Sequence, residues 1–429
     1  MKSLSLGVII GVIVLLSGCS SSNQPVTSTN SGPWNPNTQT YQVTYSPNTV
    51  LVDSTTAKAA IFSADTSYDP NDSTAEYLVY HMDPNSATAQ NLAAGQILLI
   101  YGQSIRHVDS VGTNGSETLA YTSDAALTDA IQSGNISWDY GFDYGSNDIH
   151  PSIVMPKNGR VIPMQQMSGN TFQASFSAGP YSGTIQMTLA GQNAQVSITL
   201  QKGTSAKLTC NGTIGRFRQQ TSMTIASNQL QVFQDKDQGV NADLTLNATV
   251  AGSGNDLLGK IELPVVLLEV PFEVGPIPVV IEVSAEFVIE NVVPFDGSAQ
   301  LETHFTYNSD LGFQFDGTQI SANGQIGSYN MTKNKDAIGA SGDIGVNFGI
   351  NFPKIELQIM HKAAVVSAQT GILAGGNYTS YPPCKMVEGA FVGSVDGSFS
   401  FFGLGPTFGN WTKELWNQAD TFDKVGNCP

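Results

Sequence analysis

Basic side chains are scarce in this sequence, and their scarcity limits the partners that the protein can bind. Lys and Arg number 18 in 429 residues against 35 Asp and Glu, which gives a formal net charge of −17 at pH 7. Nucleic-acid binding depends on clustered Lys and Arg that neutralise phosphates, so a nucleic-acid partner is excluded. The same charge repels anionic lipid head groups, and solubility is the simplest role for the acidic residues.

The sequence also lacks the short motifs that mark common catalytic and metal sites. It contains no HExxH, GxSxG, CxxC or GxxxxGK[ST] pattern. No histidine has a second His, Cys or Glu at metal-ligand spacing; the five are His81, His107, His150, His304 and His361. We therefore predict no catalytic residue, no metal site and no cofactor, although a triad assembled in space remains compatible with the sequence.

The chain begins with a basic residue, an apolar run and a cysteine, in that order. Lys2 precedes an apolar stretch from Leu4 to Leu16 that only small residues interrupt, as in an export signal. The stretch ends in Leu16-Ser17-Gly18-Cys19, and this motif resembles the lipobox of bacterial lipoproteins. The resemblance covers only this end of the chain. It implies that residues 1–18 are a signal peptide and that Cys19 receives a diacylglyceryl group.

A lipidated Cys19 would hold the protein at the cell envelope. Two or three acyl chains, each buried methylene adding about 0.8 kcal/mol, anchor a protein to a membrane without a spanning helix. In the Gram-negative lipoproteins that the motif resembles, an Asp after the cysteine favours the inner membrane. Ser20 stands there instead, so the resemblance implies the outer membrane. Residues 19–40 are polar and proline-containing, which predicts a flexible tether.

Two other interpretations of the first residues are an ordinary cleaved signal and an uncleaved membrane helix. The apolar run is short for a span, which needs about 20 residues. A cysteine at this position by chance is also improbable on composition, since the chain contains four cysteines in all. The lipoprotein interpretation is therefore the favoured one.

The remaining cysteines allow one disulfide. Cys210, Cys384 and Cys428 follow the tether, and an exported compartment permits disulfide formation. We predict the pair Cys384 with Cys428, because it would pin the C-terminal segment and stabilise the fold by about 4 kcal/mol in the chain-entropy model. Cys210 is then predicted to be free and buried.

Beyond the tether, the sequence predicts an all-β, mainly antiparallel protein. Short apolar or β-branched runs alternate with Gly, Pro and Asn clusters, and charged residues make up only 12% of the chain. Sandwich or open-barrel-like domains are expected. We predict an N-terminal β-rich domain at 41–150 and a larger antiparallel domain at 151–429. One short helix is predicted from Ser123, which can cap it, to Gly134, which can end it.

The most unusual local pattern lies in residues 138–144. Aromatic residues occupy the even positions, namely Trp138, Tyr140, Phe142 and Tyr144. In a strand, all four rings would share one face, and Asp139 and Asp143 would lie on the other. Such a row suits a carbohydrate-binding platform, because a pyranose stacks on aromatic rings. Core packing is the simpler interpretation, since aromatic side chains commonly fill cores.

A second candidate for ligand binding is the apolar block Ile261 to Phe295. Its prolines exclude a spanning helix and indicate strand edges or bulges; they stand at 264, 271, 276, 278 and 294. From Ile281 to Glu290 apolar and acidic residues alternate, which predicts a strand with one wet face. The first half is apolar on both faces, which is typical of a core strand and also suits the wall of an apolar groove.

Two stretches resemble segments of uncharacterised secreted β-rich bacterial proteins. The first comprises Gly95 to Ile100, Arg106 to Val108 and Thr122 to Leu127, and the second is Gly275 to Val279. The resemblance implies no activity. Taken together, the sequence predicts a membrane-anchored surface or periplasmic lipoprotein with a non-enzymatic binding or envelope-structural role. A carrier of lipid or another apolar ligand and a carbohydrate-binding or carbohydrate-active protein are the alternatives, and the ligand could be a glycan, a lipid or a protein.

Overall fold

The computed structural model describes residues 38–428 apart from short gaps. The gaps lie at 70–71, 143, 146–150, 155–160, 179–180, 205, 255–260, 294, 339–343, 361–363, 381–382 and 404–409. The predicted signal peptide and Cys19 lie outside the described residues, so the predictions made for them stay predictions. Of the predicted tether, positions 38–40 already belong to a strand.

Strands make up most of the described chain. The first thirteen are β1 (Thr38–Tyr45), β2 (Thr49–Val52), β3 (Ile61–Asp69), β4 (Asp72–Met82), β5 (Ile97–Ile100), β6 (Ser104–Asn114), β7 (Glu117–Asp124), β8 (Ile131–Gly141), β9 (Ser152–Val154), β10 (Val161–Pro163), β11 (Gln165–Ser168), β12 (Thr171–Ala178) and β13 (Tyr181–Ala190). The next thirteen are β14 (Asn193–Lys202), β15 (Ala206–Gly215), β16 (Arg218–Ala226), β17 (Gln229–Gly254), β18 (Ile261–Val274), β19 (Ile277–Val293), β20 (Phe295–Phe315), β21 (Ile320–Ala322), β22 (Gln325–Ile338), β23 (Ile344–Ile359), β24 (Ala364–Ser380), β25 (Pro383–Ser398) and β26 (Trp411–Gly426).

Helices are few and short in the described part of the chain. They are α1 (Ser54–Ala60), α2 (Ala87–Asn91) and α3 (Leu127–Ala130), with a 3₁₀ turn at Ser400–Phe402. The predicted helix from Ser123 to Gly134 is therefore too long. Ser123 still pairs in β7, and Ile131 already pairs with Tyr45 of β1. Sheet pairing on both sides overrides the local helical spacing of the alanines and leucine.

The strands form three main sheets and one two-stranded hairpin of β9 and β10. The large sheet has the order β1-β8-β16-β17-β15-β14-β13-β12-β11, with β20, β21 and β22 attached beyond β17. The facing sheet has the order β18-β19-β23-β24-β25-β26, and the small sheet has the order β2-β5-β6-β7-β4-β3. Among the described pairs, only β2 with β5 is parallel. The prediction of a mainly antiparallel all-β fold is confirmed.

Strand β17 organises the large sheet. Along one edge its first part, Gln229–Gln238, pairs with β16, and its later part, Ala242–Val250, pairs with β15. Along the other edge it pairs with β20 over nearly its whole length. One long strand therefore joins the half of the sheet that contains β8 to the half that contains β12 to β15.

The large and facing sheets pack face to face around one hydrophobic core. Between them, the rings of Phe305 and Phe391 lie 5.4 Å apart, and the Tyr307 hydroxyl donates a hydrogen bond of 2.8 Å to the carbonyl oxygen of Phe352. These contacts join β20 to β25 and β23. The result is a β-sandwich, as predicted, with alternate side chains of both sheets directed into the core.

The small sheet has a core of its own, which contains side chains of α1, α2 and the sheet. Strand β5 contributes to both cores, with Leu98 and Ile100 in the small core and Ile97 and Leu99 in the sandwich core. This explains why its sequence is a continuous apolar run. The predicted domain boundary at residue 150 does not coincide with the sheets, since β1 and β8 belong to the large sheet and only 49–124 form the small one.

The predicted disulfide is confirmed, and so is the state of the third cysteine. Cys384 at the start of β25 is bonded to Cys428, whose segment follows β26. Cys210 is free and fully buried in β15. Burial raises the pKa of its thiol to about 12, so the reactive thiolate is scarce at neutral pH.

Candidate functional site

The aromatic row of residues 138–144 lies in the core and not on the surface. Its four rings are only 2–4% exposed; they are Trp138, Tyr140, Phe142 and Tyr144. The ring of Tyr140 stacks on Phe272 of the facing sheet at 5.7 Å, and the ring of Phe142 stacks on Phe217 at 4.1 Å. A sugar ring has no access to these faces. The carbohydrate-platform interpretation is therefore corrected, and core packing accounts for the alternation.

On the outer face of the same strand, Asp139 forms an ion pair with Arg218 of β16. The Arg218 Nε atom lies 2.5 Å from Asp139 Oδ1, and a second guanidinium nitrogen bonds to Oδ2. The Gln220 side chain donates a further bond of 3.1 Å to Asp139 Oδ2. Burial raises the pKa of Asp139, but these donors outweigh burial and the net pKa is lowered. Asp143, its predicted companion, lies outside the described residues.

The inner face of the large sheet carries polar side chains among these rings. Two adjacent rows cross β8, β16, β17 and β20 in register: Trp138, Thr221, Asp235 and Phe313 form one, and Tyr140, Gln219, Asp237 and Leu311 form the other. The polar members form the buried polar block, which consists of Gln219, Thr221, Asp235 and Asp237. Each of the four is 3% exposed or less. In the described part of β8, β16, β17 and β20, this is the only place where four polar side chains lie together at inward positions of adjacent rows.

Hydrogen bonds within the block satisfy three of its members. The Trp138 Nε1 atom donates to Gln219 Oε1 at 2.8 Å, and the Gln219 amide nitrogen donates to Thr221 and to Asp235. The Thr221 hydroxyl donates to Asp235 Oδ1 at 2.6 Å. Because a primary amide has only two N–H groups, Gln219 has none left for Asp237, which lies directly opposite it.

Asp237 is the exception in this network. It is 1% exposed, and neither of its carboxylate oxygens has a hydrogen-bond partner among the described residues. The basic side chains that adjoin the block in sequence, Arg218 and Lys236, lie on the outer face and pair with Asp139 and Asp310. In the described part of the chain no Lys, Arg or His side chain is buried. Asp235 and Asp237 therefore lack a cationic partner in the core.

The environment raises the pKa of both carboxyl groups. Burial raises the pKa of Asp235 to about 6, against the hydrogen bonds from Thr221 and Gln219, which lower it. Burial and then the neighbouring charge of Asp235 raise the pKa of Asp237 well above its usual value. A buried carboxylate without a counter-charge is costly, and a group in that position takes up a proton instead.

The sequence offered little sign of this block. Residues 235–237 read Asp-Lys-Asp, and residues 218–221 read Arg-Gln-Gln-Thr, which is typical of exposed strands. The one available signal was parity. Phe233 is buried on the inner face of β17, and Asp235 and Asp237 share its odd parity. The bulge between Asp237 and Val240 then moves the inner face to even positions, so Val240 and the residues after it gave the opposite indication.

The apolar block of the sequence forms β18 and β19 of the facing sheet. Among the described side chains, its inward residues are buried in the sandwich core, including Val270, Phe272, Val274, Ile281 and Val283. The outward face of β19 carries Glu282, which accepts a hydrogen bond of 3.1 Å from Gln358 of β23. The alternation predicted from Ile281 to Glu290 is present as far as Glu286 among the described side chains, although Ser284 on the outward face is buried. The described inward side chains of the first half contribute to a packed core.

The two stretches with the weak family resemblance meet at the junction of the small sheet and the sandwich. Gly102, between the first two parts of the first stretch, donates a backbone hydrogen bond of 3.0 Å to the Pro276 carbonyl oxygen. Gly275 (φ +59°) lies against the Tyr41 ring, where a Cβ atom would come within 2.5 Å of the ring. Gly275 therefore permits both the turn between β18 and β19 and the close approach of β1.

Three described histidines lie beside carboxylates: His107 and His304 have one such partner each, and His81 has two. The His81 Nδ1 atom lies 2.8 Å from Glu117 Oε2, and Nε2 lies 3.4 Å from Asp65 Oδ2. Both ring nitrogens thus face carboxylates at the open side of the small sheet. The hydrogen bond to Glu117 raises the pKa of His81.

Within the described residues, no helix is both long and apolar enough to cross a bilayer. Comparison with protein-family models, with curated proteins and with solved structures gave no match. The function must therefore be argued from the chain itself.

Proposed function

We propose that the protein is an envelope lipoprotein, anchored by acyl chains on Cys19, whose β-sandwich serves as a non-enzymatic binding or structural module. The lipobox at Leu16 to Cys19 carries the proposal. The architecture supports a rigid module, because two sheets share one core and a disulfide ties the end of β26 to β25. The acidic surface keeps such a module in solution beside the membrane.

The packing favours this role over the carrier of an apolar ligand. A carrier needs apolar walls that a ligand can reach. Phe272 of the apolar block instead stacks on Tyr140 and packs edge-on against Trp138 at 6.0 Å. The carrier remains the second candidate, and its test is mass spectrometry of the purified protein. A lipid that copurifies in fixed stoichiometry, beyond the acyl chains on Cys19, would favour it.

The anchor is tested in the full-length chain by Cys19→Ala. We expect the wild-type protein to be membrane-bound and to incorporate a labelled fatty acid, and the variant to lose the label and leave the membrane fraction. Ser20→Ala is the matched control, because it alters the neighbouring residue and keeps the lipobox cysteine. It should retain the label.

Two results would contradict the anchor. One is a wild-type protein whose mature sequence begins elsewhere than Cys19 or carries no fatty acid. The other is full membrane retention of Cys19→Ala, which would mean that another part of the protein binds the membrane. Folding of each variant is checked by the presence of the Cys384–Cys428 bond, since this bond requires β25 and the segment after β26 to be paired.

A further inference from the structure

The buried polar block contains two carboxyl groups, and the described residues supply hydrogen-bond donors to only one of them. Asp235 receives hydrogen bonds from Gln219 and Thr221, whereas Asp237 receives none from the described residues. The two side chains are adjacent on the inner face of β17, two positions apart in the strand. Two negative charges at this separation, away from water and without a cation, repel each other strongly.

We propose that Asp235 and Asp237 together hold one proton at neutral pH, and that its loss at alkaline pH opens the sandwich at β16 and β17. The block is thus a pH-sensitive device in the core. When the proton leaves to solvent hydroxide, both carboxylates are charged. The facing sheet then has to separate from these strands to admit water.

Among the described residues, the surroundings supply no other group that could neutralise the second charge. Tyr140 is the only titratable neighbour on β8 in the two rows, and the neighbours on β20 are Leu311 and Phe313. The described rings that pack on the two rows from outside the large sheet are apolar: Phe272 of β18 lies against Trp138 and Tyr140, and Phe399, which follows β25, lies against Phe313. Arg218 and Lys236 lie on the outer face, occupied by Asp139 and Asp310. A proton is therefore the available counter-charge.

The direction of the pH effect follows from linkage. Both pKa values are raised in the folded state, to about 6 for Asp235 and further for Asp237. The stability that the bound protons contribute is complete below the unfolded pKa of about 3.9 and is lost as the pH rises through the folded values. The unfolding equilibrium constant should rise about tenfold per pH unit for each proton that the native state holds in excess.

The test compares the purified full-length protein with Asp237→Asn by urea unfolding between pH 5 and pH 9. Asn is neutral at every pH and offers an N–H donor to Asp235. We expect the wild-type unfolding constant to rise about a hundredfold from pH 6 to pH 8 relative to the variant. Asp139→Asn is the matched control, because Asp139 lies on the outer face of the same sheet and its partner Arg218 stays charged throughout this pH range. It should keep the wild-type pH profile.

A second measurement keeps the proposal open to refutation if Asp237→Asn fails to fold. The infrared spectrum of the wild-type protein at pH 7 should contain the carbonyl band of a protonated carboxylic acid, which disappears as the pH is raised and the protein loosens. The absence of this band at pH 7 would overturn the proposal. So would parallel pH profiles of the wild type and a folded Asp237→Asn.

Discussion

The two faces of strands β8, β16 and β17 shift the pKa values of their carboxyl groups in opposite directions. On the outer face, Asp139 lies beside Arg218 and Gln220 and its pKa is lowered on balance. On the inner face, Asp235 and Asp237 lie among rings without a cation, and their pKa values are raised. The outer row that contains Asp139 and Gln220 runs between the two inner rows. Neighbouring positions in one sheet therefore have carboxyl pKa values shifted in opposite directions because of the face on which they lie.

Strand β5 is covered on both faces, so substitutions of neighbouring side chains in it should have similar effects on stability. In β5, Leu98 packs in the small core and Leu99 in the sandwich core. We expect Leu98→Ala and Leu99→Ala each to lower the free energy of unfolding by about 2–5 kcal/mol, because each leaves a cavity. Urea unfolding measures both. A cost within about 0.5 kcal/mol for either, as at a surface position, would contradict two-sided burial.

Adjacent glutamines in β16 test the comparison directly. Gln219→Ala removes a donor from buried Asp235 and leaves the Trp138 N–H unpaired, so we expect a loss of about 3 kcal/mol in unfolding free energy. Gln220→Ala, on the outer face, removes one hydrogen bond to Asp139 and should cost about 0.5 kcal/mol. Denaturant titration at pH 7 checks the pair. Equal costs would mean that the two faces are equally accessible to water.

A smaller effect is expected for the indole donor at the edge of the block. Trp138→Phe leaves Gln219 Oε1 without its donor and should cost about 1–2 kcal/mol beyond the loss of volume. Trp416→Phe is the control, since Trp416 is buried and its Nε1 atom has no hydrogen-bond partner among the described residues. The difference between the two variants in thermal or urea unfolding isolates the hydrogen bond. A larger loss for Trp416→Phe would contradict this assignment.

Much of the fold was predictable from the sequence because alternation and turn residues act locally. The antiparallel strands, the wet face of β19 and the disulfide of Cys384 with Cys428 all follow from such patterns. The length of α3 could not be predicted in this way, because the pairing of β8 with β1 and β16 depends on residues far away in sequence.

The candidate site was less predictable than the fold. The rings of residues 138–144 could be assigned to one face, but only the facing sheet decides whether that face is covered. Asp235 and Asp237 have the composition of a surface strand. Their burial depends on side chains distant in sequence, such as Phe272 over Tyr140 and Phe399 over Phe233, which no local pattern near residue 235 encodes.

The smallest predicted effect is on the outer face, where solvent screens charges. Arg218→Lys keeps the charge and loses the two-pronged contact with Asp139, so we expect a cost of about 0.5 kcal/mol that shrinks further at high salt. Because the folded pKa of Asp139 is lowered, the stability from this pair is present above the unfolded pKa of about 3.9 and is lost as the pH falls. Asp139→Asn should therefore reduce the dependence of unfolding free energy on pH at acid pH, whereas Asp237→Asn reduces it at alkaline pH. If both substitutions altered the pH profile in the same range, the two faces would not shift the pKa values of Asp139 and Asp237 in opposite directions.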